Sequence, residues 1–166
     1  SNVWLIDFFH THRGHVLKDL IKLENDILYI FTKIHTEEEL KEAFKLTDIL
    51  LDTHDLRHPP AKNRGADFSF APLRKAFLAV RKLRSFYGSL IRSDRDPYQL
   101  FVGLMRYAMH TLSFEECSDL QKKWALYAGA KCAEKIRQTL LAFHSGTPAS
   151  AAPPAAAPGP PEPAAG

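Results

Sequence analysis

Eleven prolines punctuate this 166-residue sequence, and their placement limits the fold more than any other feature. Seven fall after residue 145; the other four, Pro59, Pro60, Pro72 and Pro97, sit where the hydrophobic periodicity breaks. Proline lacks an N–H and clashes with the preceding turn, so it is excluded from helix interiors and central strands. Between the breaks apolar residues recur at intervals of three and four. No stretch sustains period-two alternation, and no Asn-Gly or Asp-Gly hairpin turn occurs. The pattern predicts an all-α fold, a single helical bundle of about five helices.

The first segment, from Val3 to Ile34, carries Leu17, Leu20, Ile21, Leu23, Ile27, Leu28, Phe31 and Ile34 on a broad stripe and reads as one helix of about 48 Å, with Gly14 as its weak point. Thr36 followed by Glu37, Glu38 and Glu39 forms a capping box that opens a second helix. That helix is expected to bury Leu40, Phe44, Leu50 and Leu51 and to end at Pro59-Pro60. A basic loop covers residues 57–68. Pro72 suits the first turn of a third helix, with Leu73, Ala76, Val80, Leu83, Tyr87, Leu90 and Ile91 inward. Arg74, Lys75, Arg81, Lys82, Arg84 and Arg92 fall on the opposite arc. Asp96-Pro97 opens a fourth helix, apolar nearly all round, to Leu112. A box of Ser113 and Glu116 opens a fifth, to Phe143, with Cys117, Leu120, Trp124, Tyr127 or Ala128, Ile136 and Leu140 toward the core. Ala128-Gly129-Ala130 would let a neighbouring backbone approach. Short connections predict that the third and fourth helices, and the fourth and fifth, lie side by side and antiparallel.

Composition divides the chain. Residues 146–166 hold eight alanines, seven prolines, three glycines and a single charge, Glu162. Such a segment cannot build a core, and we read it as a disordered Pro/Ala-rich tail or linker joining a bundle domain, residues 1–145, to a larger protein. Its two Pro-x-x-Pro spacings lack the flanking basic residue that proline-groove domains favour. About 145 residues is the size of one ordinary domain. No apolar run reaches the roughly 20 residues that span a bilayer, and the N-terminus lacks the order of a signal peptide. In one continuous helix Cys117 and Cys132 would stand about 22 Å apart, too far to bridge, and unpaired thiols suit a reducing compartment. An intracellular protein, cytoplasmic or nuclear, is expected.

Net charge is +3, but residues 1–56 hold six Lys/Arg against eleven Asp/Glu and residues 57–112 hold eleven against three. Acidic and basic thirds either pack against each other, the slightly favoured reading, or face two partners.

Chemistry-bearing motifs are few. Eight histidines raise the question of a metal centre, with His10, His12 and His15 the densest group and His54 and His58 at the i,i+4 spacing that brings two imidazoles to one helix face. A hemerythrin-like di-iron bundle needs inward His and carboxylate pairs on all four helices. His58 precedes Pro59 and is pulled out of helical geometry, and His35 with Glu39 is the only His-x-x-x-Glu. A calcium loop counted from Asp48 would need ligands where Leu50, Thr53 and Pro59 stand. We assign no metal and no cofactor. Asp19-Leu20-Ile21-Lys22-Leu23-Glu24-Asn25 resembles the Asp-Leu-x-x-Leu-Glu-Asn signature of a plant family of uncharacterised membrane-anchored proteins. The likeness covers one helix, Leu28 replaces the proline that follows in that family, and it carries nothing functional.

No nucleophile elbow, phosphate-binding glycine loop or dinucleotide fingerprint is present, and the chain is read as no enzyme. What remains is a basic surface of Arg57, Lys62, Arg64, Arg74, Lys75, Arg81, Lys82, Arg84 and Arg92. The expected function is that of a non-enzymatic adaptor or scaffold domain binding another protein, an acidic one included. The alternative is a phosphate-binding module that uses the third helix on nucleic acid or anionic phosphoinositide lipid. Phe77 borders the basic arc while Phe86 and Tyr87 turn inward, so no stacking platform for single strands is expected.

Overall fold

The computed structural model describes residues 15–91 and 94–144. Among the described residues every regular element is helical, with five helices of eight residues or more. They are α1 (Lys18–Asn25), α2 (Glu37–Leu51), α3 (Ala71–Arg84), α5 (Tyr98–Thr111) and α6 (Asp119–His144), with a four-residue α4 (Tyr87–Leu90) between α3 and α5. Residues 3–14 of the predicted first helix, with its weak point at Gly14, and the tail from residue 146 lie outside the described residues.

The first helix is not uniform. α1 passes into a π turn (Asp26–Phe31), and the chain leaves helical geometry at Thr32. Gln121 of α6 supports this widened turn: its side-chain Nε2 donates to the carbonyls of Tyr29 at 2.9 Å and Ile30 at 3.2 Å. A tertiary side chain thus satisfies carbonyls that a helix end leaves open.

α2 begins as its capping box requires. The Thr36 hydroxyl accepts from the Glu39 N–H at 3.2 Å, and Glu39 accepts from the His35 N–H at 2.7 Å. It ends at Leu51, eight residues before the prolines expected to stop it. The Leu50 carbonyl there accepts from the Thr53 hydroxyl at 2.9 Å and from Arg84 at 2.6 Å, so side-chain donors close the helix before Pro59 acts. The loop that follows holds a 3₁₀ turn (Lys62–Asp67).

α3 carries Pro72 in its first turn, as expected, and ends at Arg84 rather than Arg92. Asp96 accepts from the Tyr98 N–H at 2.7 Å at the start of α5. α6 starts five residues later than expected. The box that opens it is Ser118 with Gln121, whose side chains accept each other's N–H at 3.3 and 3.1 Å; Ser113 instead bonds the carbonyl of His110. Cys117 therefore precedes the helix. Both thiols are buried and unbridged, and burial pushes Cys132 up to about 12.

The buried face of α6 is Gln121, Trp124, Ala125, Ala128, Gly129 and Cys132. Leu140, expected inside, is exposed. One core cluster surrounds Trp124, whose indole N–H donates to Thr47 at 2.8 Å and whose ring meets Tyr29 edge-on at 4.9 Å. A second joins Leu17 and Ile21 to Tyr87, Leu100, Phe101 and Cys132. α5 packs along α6 and on α1. The third predicted helix, α3, packs on α1, α2 and the π turn instead of pairing with α5.

Candidate docking surface on the third helix

α3 has two unlike faces, and the inner one fixes the direction of the outer. Leu73, Phe77, Val80, Arg84 and Tyr87 follow one another at intervals of four and three residues, and all are buried. Arg84, 2% exposed, lies against Glu24 of α1, 0% exposed. Its Nε donates to Oε2 at 2.9 Å and its Nη2 to Oε1 at 2.6 Å, a bidentate pair. Nη1 donates to the Leu50 carbonyl and, at 2.9 Å, to the Thr53 hydroxyl, and Tyr87 donates to Glu24 at 3.3 Å. Burial works against the Arg84 charge, but the adjoining Glu24 outweighs it and the guanidinium is held above its ordinary range. The same burial, with Glu24 second, raises the Tyr87 phenol. This pair ties α1, the end of α2 and α3 into one body.

The N-terminus of α3 is tied as well. Glu42 of α2 accepts from the Ser69 hydroxyl and, at 3.0 Å, from the Phe70 N–H. The Ser69 hydrogen bond is the main reason its carboxyl falls below its ordinary value of 4.5.

Of the predicted basic surface, the structure brings together only a part. Arg84 is a correction: it is a core residue whose charge is already matched, and it cannot reach a surface partner. Arg81 is half-buried and donates to the Pro60 carbonyl at 2.9 Å, which pins the loop to the helix. Arg57 and Arg64 face Asp55 at 3.7 Å and Asp52 at 4.0 Å. Arg92 lies outside the described residues. Lys62, Arg74, Lys75 and Lys82 are exposed, and no carboxylate is within 4.0 Å of any of them among the described residues.

Three apolar side chains share that outer side: Leu78 at 43% exposure, Phe86 at 47% and Leu90 at 40%. Phe86 and Leu90 were expected in the core; only their neighbours Tyr87 and Ile91 are there. Phe77, expected to border the cations, is fully buried. Lys82 stands over the Phe86 ring at 5.0 Å from its centroid, so charge and aromatic surface are already in contact.

Among the described residues the histidines form no comparable site. His54 and His58 follow the end of α2 and do not share a helix face. Each meets its own carboxylate, Asp52 at 3.3 Å and Asp55 at 3.4 Å, around an open hollow of about 310 Å³. His10 and His12 lie outside the described residues. Among the described residues no three His, Cys, Asp or Glu side chains are placed to hold a metal ion, and no helix is long and apolar enough to cross a membrane.

Residues 1–113 match the family described as Ternary complex associated domain 9. The chain belongs to that family. No curated protein and no solved structure matches it. The Ternary complex associated domain 9 match covers the whole of α3 and every residue of the predicted basic surface, and it stops before α6.

Proposed function

We propose that this Ternary complex associated domain 9 chain is a non-enzymatic docking domain, an adaptor or scaffold that binds another protein within a larger intracellular assembly. The observation that carries the reading is the outer side of α3 and α4. Arg74, Lys75 and Lys82 are exposed without described carboxylate partners on the helix that bears the exposed Leu78, with Phe86 and Leu90 following it, and Lys62 is exposed on the 3₁₀ turn before it. A single exposed leucine means little, but apolar side chains interspersed with unpaired cations along one fixed helix are the makings of an interface. The family's description, which names association with a ternary complex, supports protein partners. Cross-linking and affinity purification of the full chain, followed by mass measurement of the recovered complex, tests the proposal. A defined stoichiometric complex is expected; a chain recovered alone under low and moderate salt overturns it.

The same four cations support a second reading, a phosphate-bearing partner. Neutralising phosphates releases counterions, so affinity for RNA, DNA or phosphoinositide vesicles would fall steeply between two salt concentrations. Absence of binding at low salt removes this alternative.

A further inference from the structure

We infer that the outer seam of α3 and α4 takes one acidic amphipathic helix of a partner protein, packed along it in the manner of a coiled coil. The inference rests on the docking reading and names its surface and the chemistry of its partner.

Three observations lead there. At about 100° per residue, Lys75, Leu78, Lys82, Phe86 and Ser89 fall within about 40° of the direction of Lys82. Their spacings are three, four, four and three residues, the intervals at which one helix face can receive a second helix. Ser85 and Phe86 keep right-handed helical backbone angles between α3 and α4, so the seam from Lys75 to Ser89 runs on through both, over about 21 Å.

Second, the seam mixes its chemistry in one line. A helix that lies on a membrane segregates its apolar residues from its cations, sinking one face and leaving the other in the headgroups. Here Lys75 and Lys82 alternate with Leu78 and Phe86, and all four are exposed. A phosphate backbone would meet the lysines but offer Leu78 and Phe86 nothing apolar. A second helix satisfies both, with Glu or Asp opposite the lysines and Leu-like residues opposite Leu78 and Phe86.

Third, charge complementarity fixes the sign. Residues 68–93 contain six Lys/Arg and no Asp or Glu. Four of the α2 carboxylates are engaged elsewhere: Glu37 with Lys123 at 3.1 Å, Asp48 with Lys131 at 3.2 Å, Glu39 with the His35 N–H, and Glu42 with Ser69 and Phe70. The seam therefore seeks acid from outside, and Arg81 and Arg84 already hold the helix that carries it.

The test uses a synthetic three-heptad peptide with Leu and Glu at its two seam positions, a version with Lys for Glu, and a scramble of the first. Each is titrated into the full chain with backbone amide shifts as readout. Binding of the Glu peptide with shifts concentrated on residues 71–90 is expected. The K75E/K82E variant should lose at least about tenfold in affinity for the Glu peptide and gain for the Lys peptide. Leu78→Ser and Phe86→Ser should each weaken binding; all four substituted residues are exposed, and unchanged circular dichroism verifies the fold. Equal binding of the scramble, shifts elsewhere, or an unaffected K75E/K82E variant overturns the inference. So does tighter binding to phosphatidylserine vesicles or random-sequence RNA than to the Glu peptide. Recovery of the same proteins from cells by the wild-type chain and by K75E/K82E, with no peptide binding, overturns the seam alone. Recovery of none by either chain overturns the docking reading beneath it.

Discussion

Glu24 and Arg84 stand at positions where their helices otherwise place Leu17, Ile21 and Leu28, and Leu73, Phe77 and Val80. Removing either partner strands the other charge in a nearly water-free site. Arg84→Met alone is expected to cost about 3–5 kcal/mol, and Glu24→Leu a similar amount. The double variant should recover most of that loss, since a well-packed apolar pair of similar volume often replaces a buried ion pair without penalty. Urea unfolding of the two single variants and the double variant closes the cycle; additive losses would show that the two side chains act independently. This pair was legible. Both residues lie on the four-three stripe of their own helix, so opposite charges occupied core positions on two different helices. Reading arginine by type, as a surface residue, placed Arg84 on the wrong face. No local pattern identifies Leu50 and Thr53 as its further acceptors, because that contact spans more than thirty residues and depends on where α2 stops.

Among the elements, α3 is set by its ends. Glu42, from α2, serves as its cap, and capping contacts are commonly worth about 1 kcal/mol. The carboxyl is depressed in the folded protein, so its contribution is full above the unfolded value and is lost as pH falls through the folded one. Glu42→Gln should lower stability at neutral pH and flatten the loss of stability below about pH 4.5. Parallel acid titrations of thermal midpoint for the two proteins check this; superimposable slopes would exclude the cap. The capping box of α2 could be read directly because all its parts are local. Glu42 could not, since its donors are 27 and 28 residues away.

Two glycines separate close packing of helices from coincidence. A β-carbon at Gly103 would lie 2.9 Å from Ile21 Cδ1 and 3.1 Å from its Cγ2, where α5 meets α1. Ile21 is buried and stiff at χ1, so Gly103→Ala should destabilise by about 1–3 kcal/mol despite its better helix propensity. At Gly129 the neighbour is the terminal methyl of Met109, a flexible side chain at 37% exposure, rather than the backbone expected from the Ala-Gly-Ala run. Gly129→Ala is therefore expected to be neutral or to gain up to about 1 kcal/mol. Denaturant midpoints that rank the two variants in the opposite order would refute this account of the α1–α5 and α5–α6 contacts.

For the whole molecule, the division into acidic and basic thirds resolves into two separate uses of charge. α2 directs Glu37 and Asp48 toward Lys123, Lys131 and Tyr127 of α6, while from the basic third Arg57 and Arg64 meet carboxylates just past its end and Arg84 closes its last turn. The exposed pairs are worth little individually, so α6 must be held by what it buries. The Ternary complex associated domain 9 match ends at residue 113, yet Trp124, Ala125 and Ala128 complete the core built by α2, α3 and the π turn. Cys132 completes the cluster with α1 and α5. A chain ending at residue 113 would uncover Tyr29 and open both clusters where Trp124 and Cys132 close them, and burying one large apolar side chain is worth about 1.5–3 kcal/mol. The net stability of a domain is about 5–15 kcal/mol, so losing the α6 side of both clusters exceeds what the remainder supplies. The 1–113 fragment should show weak, noncooperative unfolding and bind a hydrophobic dye, while a chain ending at residue 145 should unfold as cooperatively as the full one. A cooperative transition in the shorter fragment would mean that α1 to α5 fold without α6, and that the docking seam on α3 needs only the matched segment to be presented.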